Sequence, residues 1–291
     1  MTLAMTGHNI IMTKTFFSRR HFISSMAAAT GMSLMPFSSS LARAGNIPSD
    51  EWRKPLLGSE LHIRLPESVP GAQLNRVGAE IEALARAVDP EKPDSDLARL
   101  NQEGHLRNPS IVLRDMLHEA RHFFEVTDGV FCPITGAVAR VRFSGMSISD
   151  HLIVLDREAG VAVDLGGLAH GFMVDRTAEL LEAQGISAYT ITLGNITSSR
   201  LAPQGGKAHR HSVALIDESN AGQVVHPRTN HLAHNYQMVK VSAQTAAAAD
   251  ALATAFSLMD NGQISKTLVR VGQGTVQLVN RQSSASRIAV S

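Results

Sequence analysis

The chain of 291 residues has a single cysteine, Cys132, so no internal disulfide can staple it. Its stability must come from a buried core, and the length is ample for one. Long apolar runs are missing too. The best candidate, 246–259, is short and carries Asp250, whereas a membrane-spanning helix needs about 18 uninterrupted apolar residues. Neither sign of charge dominates. The 27 basic and 26 acidic residues give a net +1, and no clustered basic stretch marks a nucleic-acid face. Aromatic rings are scarce, with one tryptophan and two tyrosines. No internal repeat occurs, and no low-complexity tract follows residue 44.

The N-terminal segment reads as an address. Lys14, Arg19 and Arg20 form a positive stretch, with a twin arginine in Ser18-Arg19-Arg20-His21-Phe22-Ile23. A mildly apolar stretch follows over 26–37, then Ala42-Arg43-Ala44, a small-x-small cleavage site. The expectation is a twin-arginine signal over 1–44, export of the folded protein to the periplasm, and one mature domain over 45–291. Cleavage there leaves 247 residues with 23 basic and 26 acidic side chains, net −3.

Periodicity predicts a strand over 58–65 and an amphipathic helix over 72–88, with Leu74, Val77, Ile81, Leu84 and Val88 on one face. A turn at 90–94 leads to Ser95, which can cap a short helix ending near Leu100. Ser110 can cap the next helix, which carries Ile111, Met116 and Phe123 toward Thr127-Asp128-Gly129. Segments 152–155 and 161–163 read as strands paired about a turn at 157–160. A helix with Val174, Ala178 and Leu181 at helical spacing stops at Gly185. Further strands are expected at 188–193, 213–216, 237–241 and 275–279, with an alanine-rich helix over 245–259. Strands and helices mix without strict alternation, so the fold class is α+β, in a single domain.

Three motifs could carry chemistry. In Asp164-Leu165-Gly166-Gly167-Leu168-Ala169-His170-Gly171-Phe172-Met173-Val174-Asp175, glycines stand between an expected strand and an expected helix. Unobstructed N–H groups at a helix N-terminus suit a phosphate or diphosphate. A purely structural turn is the competing reading. In Ala249-Asp250-Ala251-Leu252-Ala253-Thr254-Ala255, Asp250 and Thr254 are i and i+4, so both oxygens share a helix face. Carboxylate plus hydroxyl is hard-oxygen chemistry suited to Mg²⁺ on a diphosphate. The alternative is a surface Asp and a Thr bonded to its own turn. In Val225-His226-Pro227-Arg228-Thr229-Asn230, Arg228 could pair with a phosphate or serve only structure.

Together these motifs resemble the ApbE-like family of FAD:protein FMN transferases, whose patterns have the form DLGGIAKGYAVD, LGGN, DPRTG and ADALSTA. Leu193-Gly194-Asn195 matches the second. Upstream, Pro93-Asp-Ser-Asp-Leu-Ala-Arg-Leu-Asn101 is similar to PDSELSRLN, and Thr127-Asp-Gly-Val-Phe-Cys-Pro-Ile134 to TDGAFDPT. The six matches are collinear across the mature chain. The resemblance implies an α+β flavin transferase fold that takes FAD as substrate. Asp164, Gly166, Gly167, Ala169, His170, Gly171, Asp175, Gly194, Asn195, Arg228 and Thr229 would line the cofactor. It implies Mg²⁺ held by the Ala169 carbonyl, Asp250 and Thr254, and transfer of FMN to a threonine of a redox protein, periplasmic or membrane-anchored, with release of AMP.

The chain departs from the pattern in several places. His170 replaces a lysine, so a fixed positive charge becomes conditional. His226 replaces the Asp of DPRTG, and Gln223 stands where a histidine is common. His226 and His170 are therefore the catalytic candidates. The segments before PDSELSRLN and before DPRTG are short, leaving Trp52, Tyr189, Tyr236 or a phenylalanine to stack a flavin ring. The alternative function is a non-catalytic member that binds flavin or a partner. The histidine pairs 118/122, 209/211 and 231/234 lack a completing carboxylate or cysteine at recognised spacing and read as surface histidines. Cys132 reads as a small residue near the site.

Overall fold

Strand alternation builds the body of the protein. The computed structural model describes residues 11–15, 50–67, 69–135, 143, 146–155, 161–201, 210–219, 224–227, 231–233, 235–272, 274–280 and 285–290. In chain order the first strands are β1 (Ile11–Thr15), β2 (Asp50–Leu56), β3 (Ser59–Leu65), β4 (His105–Arg107), β5 (Ile134–Thr135), β6 (Ser147–Ile148) and β7 (Leu152–Val154). Then come β8 (Ala162–Val163), β9 (Tyr189–Leu193), β10 (Ile196–Arg200), β11 (Arg210–Asp217), β12 (Tyr236–Ala243), β13 (Gly274–Asn280) and β14 (Ala285–Val290). The helices are α1 (Gly71–Val88), α2 (Asp96–Glu103), α3 (Ile111–Val126), α4 (Gly166–Ala183), α5 (Ala246–Phe256) and α6 (Asn261–Val271).

A nine-stranded antiparallel sheet runs in the order β1-β14-β13-β12-β11-β10-β9-β3-β2, beside a three-stranded β4-β7-β6 and a two-stranded β5-β8. Side chains alternate across the large sheet as strand geometry requires. Leu61, Ile63 and Leu65 of β3, Tyr189, Ile191 and Leu193 of β9, and Ala214 and Ile216 of β11 point inward and are buried. Thr192, Thr197, Lys240 and Ser242 occupy the opposite, partly exposed phase. Helices α4 and α5 pack together and against β9 to β12. α5 is buried on nearly every side, from Ala246 round to Phe256, and α4 is buried over 171–175, whereas its C-terminal half exposes Glu179 and Glu182. A helix apolar all round belongs in the interior, not on a surface. Helices α1 and α3 pack onto α4 in turn.

The two expected caps form: Ser95 Oγ accepts from the Ala98 N–H and Ser110 Oγ from the Leu113 N–H; Thr245, expected inside its helix, caps it instead, its Oγ1 accepting from the Ala248 N–H. Several expectations change. The 152–155 and 161–163 segments are not partners. β7 pairs with β4 and β6, while β8 pairs with β5. Adjacency in the chain gave the wrong pairing because other elements supply the better edges. Ile111 is exposed, whereas Met116 and Phe123 of the same helix enter the core. β2 was not predicted because charges and Pro55 break its pattern. It lies at the sheet edge, where a missing N–H is tolerated. The twin arginine, the cleavage triplet and the 157–160 turn lie outside the described residues, and β1 falls within the expected signal. Among the described residues no helix is long and apolar enough to cross a membrane.

Phe256 is fully buried at the end of α5 and Val269 is half exposed on α6. Phe256→Ala should therefore cost roughly 3–5 kcal/mol in urea unfolding, and Val269→Ala less than about 0.5 kcal/mol.

Candidate functional site

The glycine motif is held from both sides before its helix begins. Asn101, at the end of α2, clamps β8: its Nδ2 donates to the Val163 carbonyl at 2.9 Å and its Oδ1 accepts from the Val163 N–H at 2.7 Å. The Asp164 N–H donates to the Pro133 carbonyl at 2.8 Å. These bonds give the short strand partners along the chain leading into the motif. The glycines themselves are not in a loop, as the sequence reading placed them, but are the first two residues of α4. The exposed Asp164 turns its Oδ1 back onto the Gly166 N–H at 2.8 Å, so one donor of the expected phosphate cradle already has a carboxylate.

What the glycines allow is the approach of α5. A Cβ at Gly167 would stand 2.9 Å from Thr254 Oγ1. One at Gly171 would collide with the Ala246 carbonyl and lie 2.8 Å from the Ala247 Cα. Across this contact each helix sends a carboxylate to the other's backbone. Asp250 Oδ2 of α5 accepts from the Gly171 N–H at 3.0 Å. The Asp175 oxygens of α4 accept from the Ala246 and Ala247 N–H groups at 3.0 and 2.9 Å. The result is a reciprocal latch that satisfies orphan donors at the start of α5.

Asp250 is therefore not on a helix surface; it is 4 % exposed. Burial raises its carboxyl to about 6, opposed by the Gly171 N–H and by His170 nearby. No Lys or Arg pairs with it among the described residues. Thr254 lies one turn along, against Gly167. A buried carboxylate without a basic partner, beside a hydroxyl in a cradle that a methyl group at 167 would fill, fits a hard cation. Ala169, the expected carbonyl donor, sits in the first turn of α4. Among the described residues no three His, Cys, Asp or Glu side chains converge as a metal set. Backbone and substrate oxygens would have to complete the shell.

His170 is pinned between two turns. Leu57 and Gly58, both with positive φ of 49° and 72°, form the tight β2–β3 turn. The Leu57 carbonyl accepts from His170 Nε2 at 3.0 Å. That places the hydrogen of a neutral ring on Nε2 and leaves Nδ1 as an acceptor. Nδ1 faces Gly194 (φ 56°), where a Cβ would stand 3.2 Å away. Asn195 uses its Nδ2 to reach the Leu215 carbonyl at 2.8 Å, fixing the β9–β10 turn to β11.

Gly166, Gly167, Ala169, His170, Gly171, Gly194, Asp250 and Thr254 thus come together. Asp175 does not join them as a cofactor contact. It is buried, and both its oxygens serve the start of α5, with Arg210 at 3.4 Å. His226 lies in the 224–227 segment, where its N–H donates to the His231 carbonyl at 2.8 Å. Arg228 and Thr229 lie outside the described residues. The rings expected to stack a flavin are used in packing. Trp52 covers Gly78 and donates to Asn75; Tyr189 is buried and donates to Glu182; Tyr236 is buried and donates to the Met259 carbonyl.

Two residues escaped the sequence reading. The PDSDLARLN stretch contains Asn101, but only the fold reveals its clamp. Glu119, half-buried on α3, faces Asp175. Burial first, then the Asp175, Glu179 and Asp115 charges, push its carboxyl up to about 7, while Arg176 pulls the other way. A single acid on an amphipathic helix leaves no signal in sequence.

Gly171→Ala should destabilise the fold by roughly 3 kcal/mol, because backbone must move. Gly166→Ala, which meets only the Asp164 carboxylate, should cost under about 1 kcal/mol in the same unfolding assay. Glu119 titrates above its ordinary value in the folded state. Its penalty is thus absent below about pH 4.5, grows as pH rises, and is complete above about 7. Glu119→Gln should accordingly raise Tm relative to wild type at pH 8 and leave it unchanged at pH 4.

Comparison with known proteins bears on the family and the fold. The chain matches the ApbE family over residues 57–223. A relative, the FAD:protein FMN transferase of Treponema pallidum (strain Nichols), is 25 % identical over 175 residues, covering 48 % of each chain. The chain thus spans about half the length of that relative. Solved structures share the fold. The flavin transferase ApbE of Vibrio cholerae superposes with TM-score 0.66 at 16 % identity, over 83 % of this chain and 97 % of that one. The ApbE protein of Thermotoga maritima gives 0.66 at 18 % identity, over 82 % and 96 %. The flavinyl transferase ApbE of Pseudomonas stutzeri gives 0.67 at 16 % identity, over 82 % and 95 %. With the match to the family covering more than half of its length, the chain belongs to the ApbE family.

Proposed function

We propose that the protein is an FAD:protein FMN transferase. In this reading it moves FMN from FAD to a threonine hydroxyl of a redox protein, periplasmic or membrane-anchored, after export by the twin-arginine route. The observation that carries the proposal is the buried Asp250 carboxylate, set with Thr254 against Gly167 and left without a basic partner.

The chemistry is a displacement at phosphorus. The acceptor hydroxyl oxygen bonds to the FMN phosphorus, the bond from that phosphorus to the bridging oxygen breaks, and AMP leaves with that oxygen. The hydroxyl proton passes to a base, for which His226 is the candidate. Mg²⁺, held by Asp250, Thr254 and the Ala169 carbonyl, would neutralise the diphosphate and steady the leaving group. The chain's own part is positioning. The latch fixes Asp250 beside α4, Asn101 fixes the strand before it, and the Leu57 carbonyl orients His170 so that Nδ1 faces the turn.

A second reading, flavin or partner binding without transfer, is favoured by one observation. Tyr189 and Tyr236 are buried and Trp52 packs against Gly78, so neither tyrosine presents a free ring to stack the isoalloxazine.

Intact-protein mass spectrometry separates the two. The mature protein, FAD, Mg²⁺ and an acceptor domain carrying a flavinylation threonine should yield acceptor heavier by FMN less water. The gain should vanish with EDTA and with Asp250→Asn. Flavin binding with no mass gain would establish the second reading. Independently of turnover, Mg²⁺ should raise the Tm of the wild type at pH 7.5 by several degrees and leave Asp250→Asn unmoved. Equal shifts in both proteins would remove Asp250 from the cation site.

A further inference from the structure

Charge is divided unevenly along the chain. Residues 45–182 carry 14 basic and 22 acidic side chains, net −8, whereas 183–291 carry nine basic and four acidic, net +5. One of those four acids, Asp250, is interior. The second stretch supplies β9 to β14, and Arg200, Arg210, Lys240 and Arg287 lie on those strands. On β11 to β14 they border an open groove of about 510 Å³ in which no acidic side chain takes part among the described residues.

Register explains how the groove is built. Lys240 of β12 stands opposite Gln277 of β13, which stands opposite Arg287 of β14. Ser242 and Thr275 are opposite one another in the next row. Arg210 closes one end. A cation–amide–cation row thus runs beside a row of hydroxyls. Strands lie about 4.8 Å apart and alternate side chains about 7 Å apart, so the two terminal cations of the row are roughly 10 Å from each other. Lys240 and Arg287 form no ion pair with any described residue, and Arg210 leans toward Asp175 at 3.4 Å.

We propose that this face docks an extended, acidic segment of a partner protein, its carboxylates on Lys240 and Arg287 and its polar groups on the Ser242–Thr275 row. Charge complementarity selects the partner: the groove supplies only cations and neutral donors. Lys240 and Arg287 stand roughly 10 Å apart at the backbone, and their long side chains can reach carboxylates about 7 Å apart at alternate positions of an extended segment. A membrane surface is disfavoured, because stable electrostatic attachment draws on a larger cluster of cations than the three that line the groove, Arg210, Lys240 and Arg287. The inference stands apart from the reading of the glycine site, since Lys240, Arg287, Ser242 and Thr275 take no part in it; Arg210 alone reaches the latch, through Asp175.

The test is fluorescence anisotropy with a labelled (Glu-Ser)6 peptide and the full chain at 50 mM NaCl. Saturable binding is expected, with a Kd on the order of 10–100 µM for a few exposed pairs. It should weaken at least tenfold at 300 mM NaCl, because the contacts are screened. A (Gln-Ser)6 peptide should not bind. Lys240→Glu with Arg287→Glu should weaken binding at least tenfold with an unchanged melting temperature; should that pair melt early, Lys240→Gln with Arg287→Gln serves in its place. Binding that survives both substitutions, or no binding at all, overturns the proposal. So does attachment to phosphatidylglycerol vesicles without peptide binding. Concentration-dependent self-association, lost in the double variant and unaccompanied by peptide binding, would assign the face to a second copy and overturn it equally.

Discussion

Everything at the candidate site depends on how closely α4 and α5 approach. Two packed helices can touch backbone to backbone only where side chains are absent or small, and the glycines at 167 and 171 face Thr254 and the alanines of α5. Close contact alone leaves the polar ends of a buried helix unsatisfied. The two carboxylates answer that need in opposite directions, Asp175 toward the start of α5 and Asp250 toward Gly171. The two are not equivalent. Asp175 has two N–H donors and Arg210 around it, whereas Asp250 has one N–H donor and no Lys or Arg partner among the described residues. The under-compensated member of the pair is the one that sits beside Thr254, and that imbalance makes it the natural place for a cation.

The latch also ties the site to the rest of the fold. Arg210 begins β11, so the sheet reaches the start of α5 through Asp175. Asn101 links α2 to the strand before α4, and His170 links α4 to the β2–β3 turn. The sheet, the helical layer and the edge hairpin therefore meet within a few residues of Gly167. On the other side, Glu119 places an acid of raised proton affinity against Asp175, so the latch stands between an acid and a base supplied by different elements.

Much of this was legible in the residues and some was not. Short-range rules worked where one residue decides the outcome: Ser95 and Ser110 cap the helices they precede, and Gly185 with φ 81° follows the end of α4. Alternation found β9, β11, β12 and β13. It failed for β2, where Pro55 is allowed by the edge position, and for the pairing of β7 and β8, because partners come from elsewhere in the chain. The motifs carried the family and pointed to Asp250 and Thr254. They gave Gly166, Gly167 and Asp175 to a ligand, whereas the structure gives Gly167 and Asp175 to helix contact. Spacing along one helix cannot reveal how near the next helix lies. The scarcity of aromatic residues was visible at once, but their burial at Tyr189 and Tyr236 was not.

The central claim is that the latch presents Asp250 and Thr254 as one half of a cation site. A crystal of the protein grown with Mn²⁺ and FAD, with anomalous data at the manganese edge, tests it most directly. The account predicts an anomalous peak within coordination distance of the Asp250 carboxylate and Thr254 Oγ1, with the Asp175 bonds to α5 intact. FAD density without that peak, or a manganese ion bound elsewhere on the chain, would contradict it.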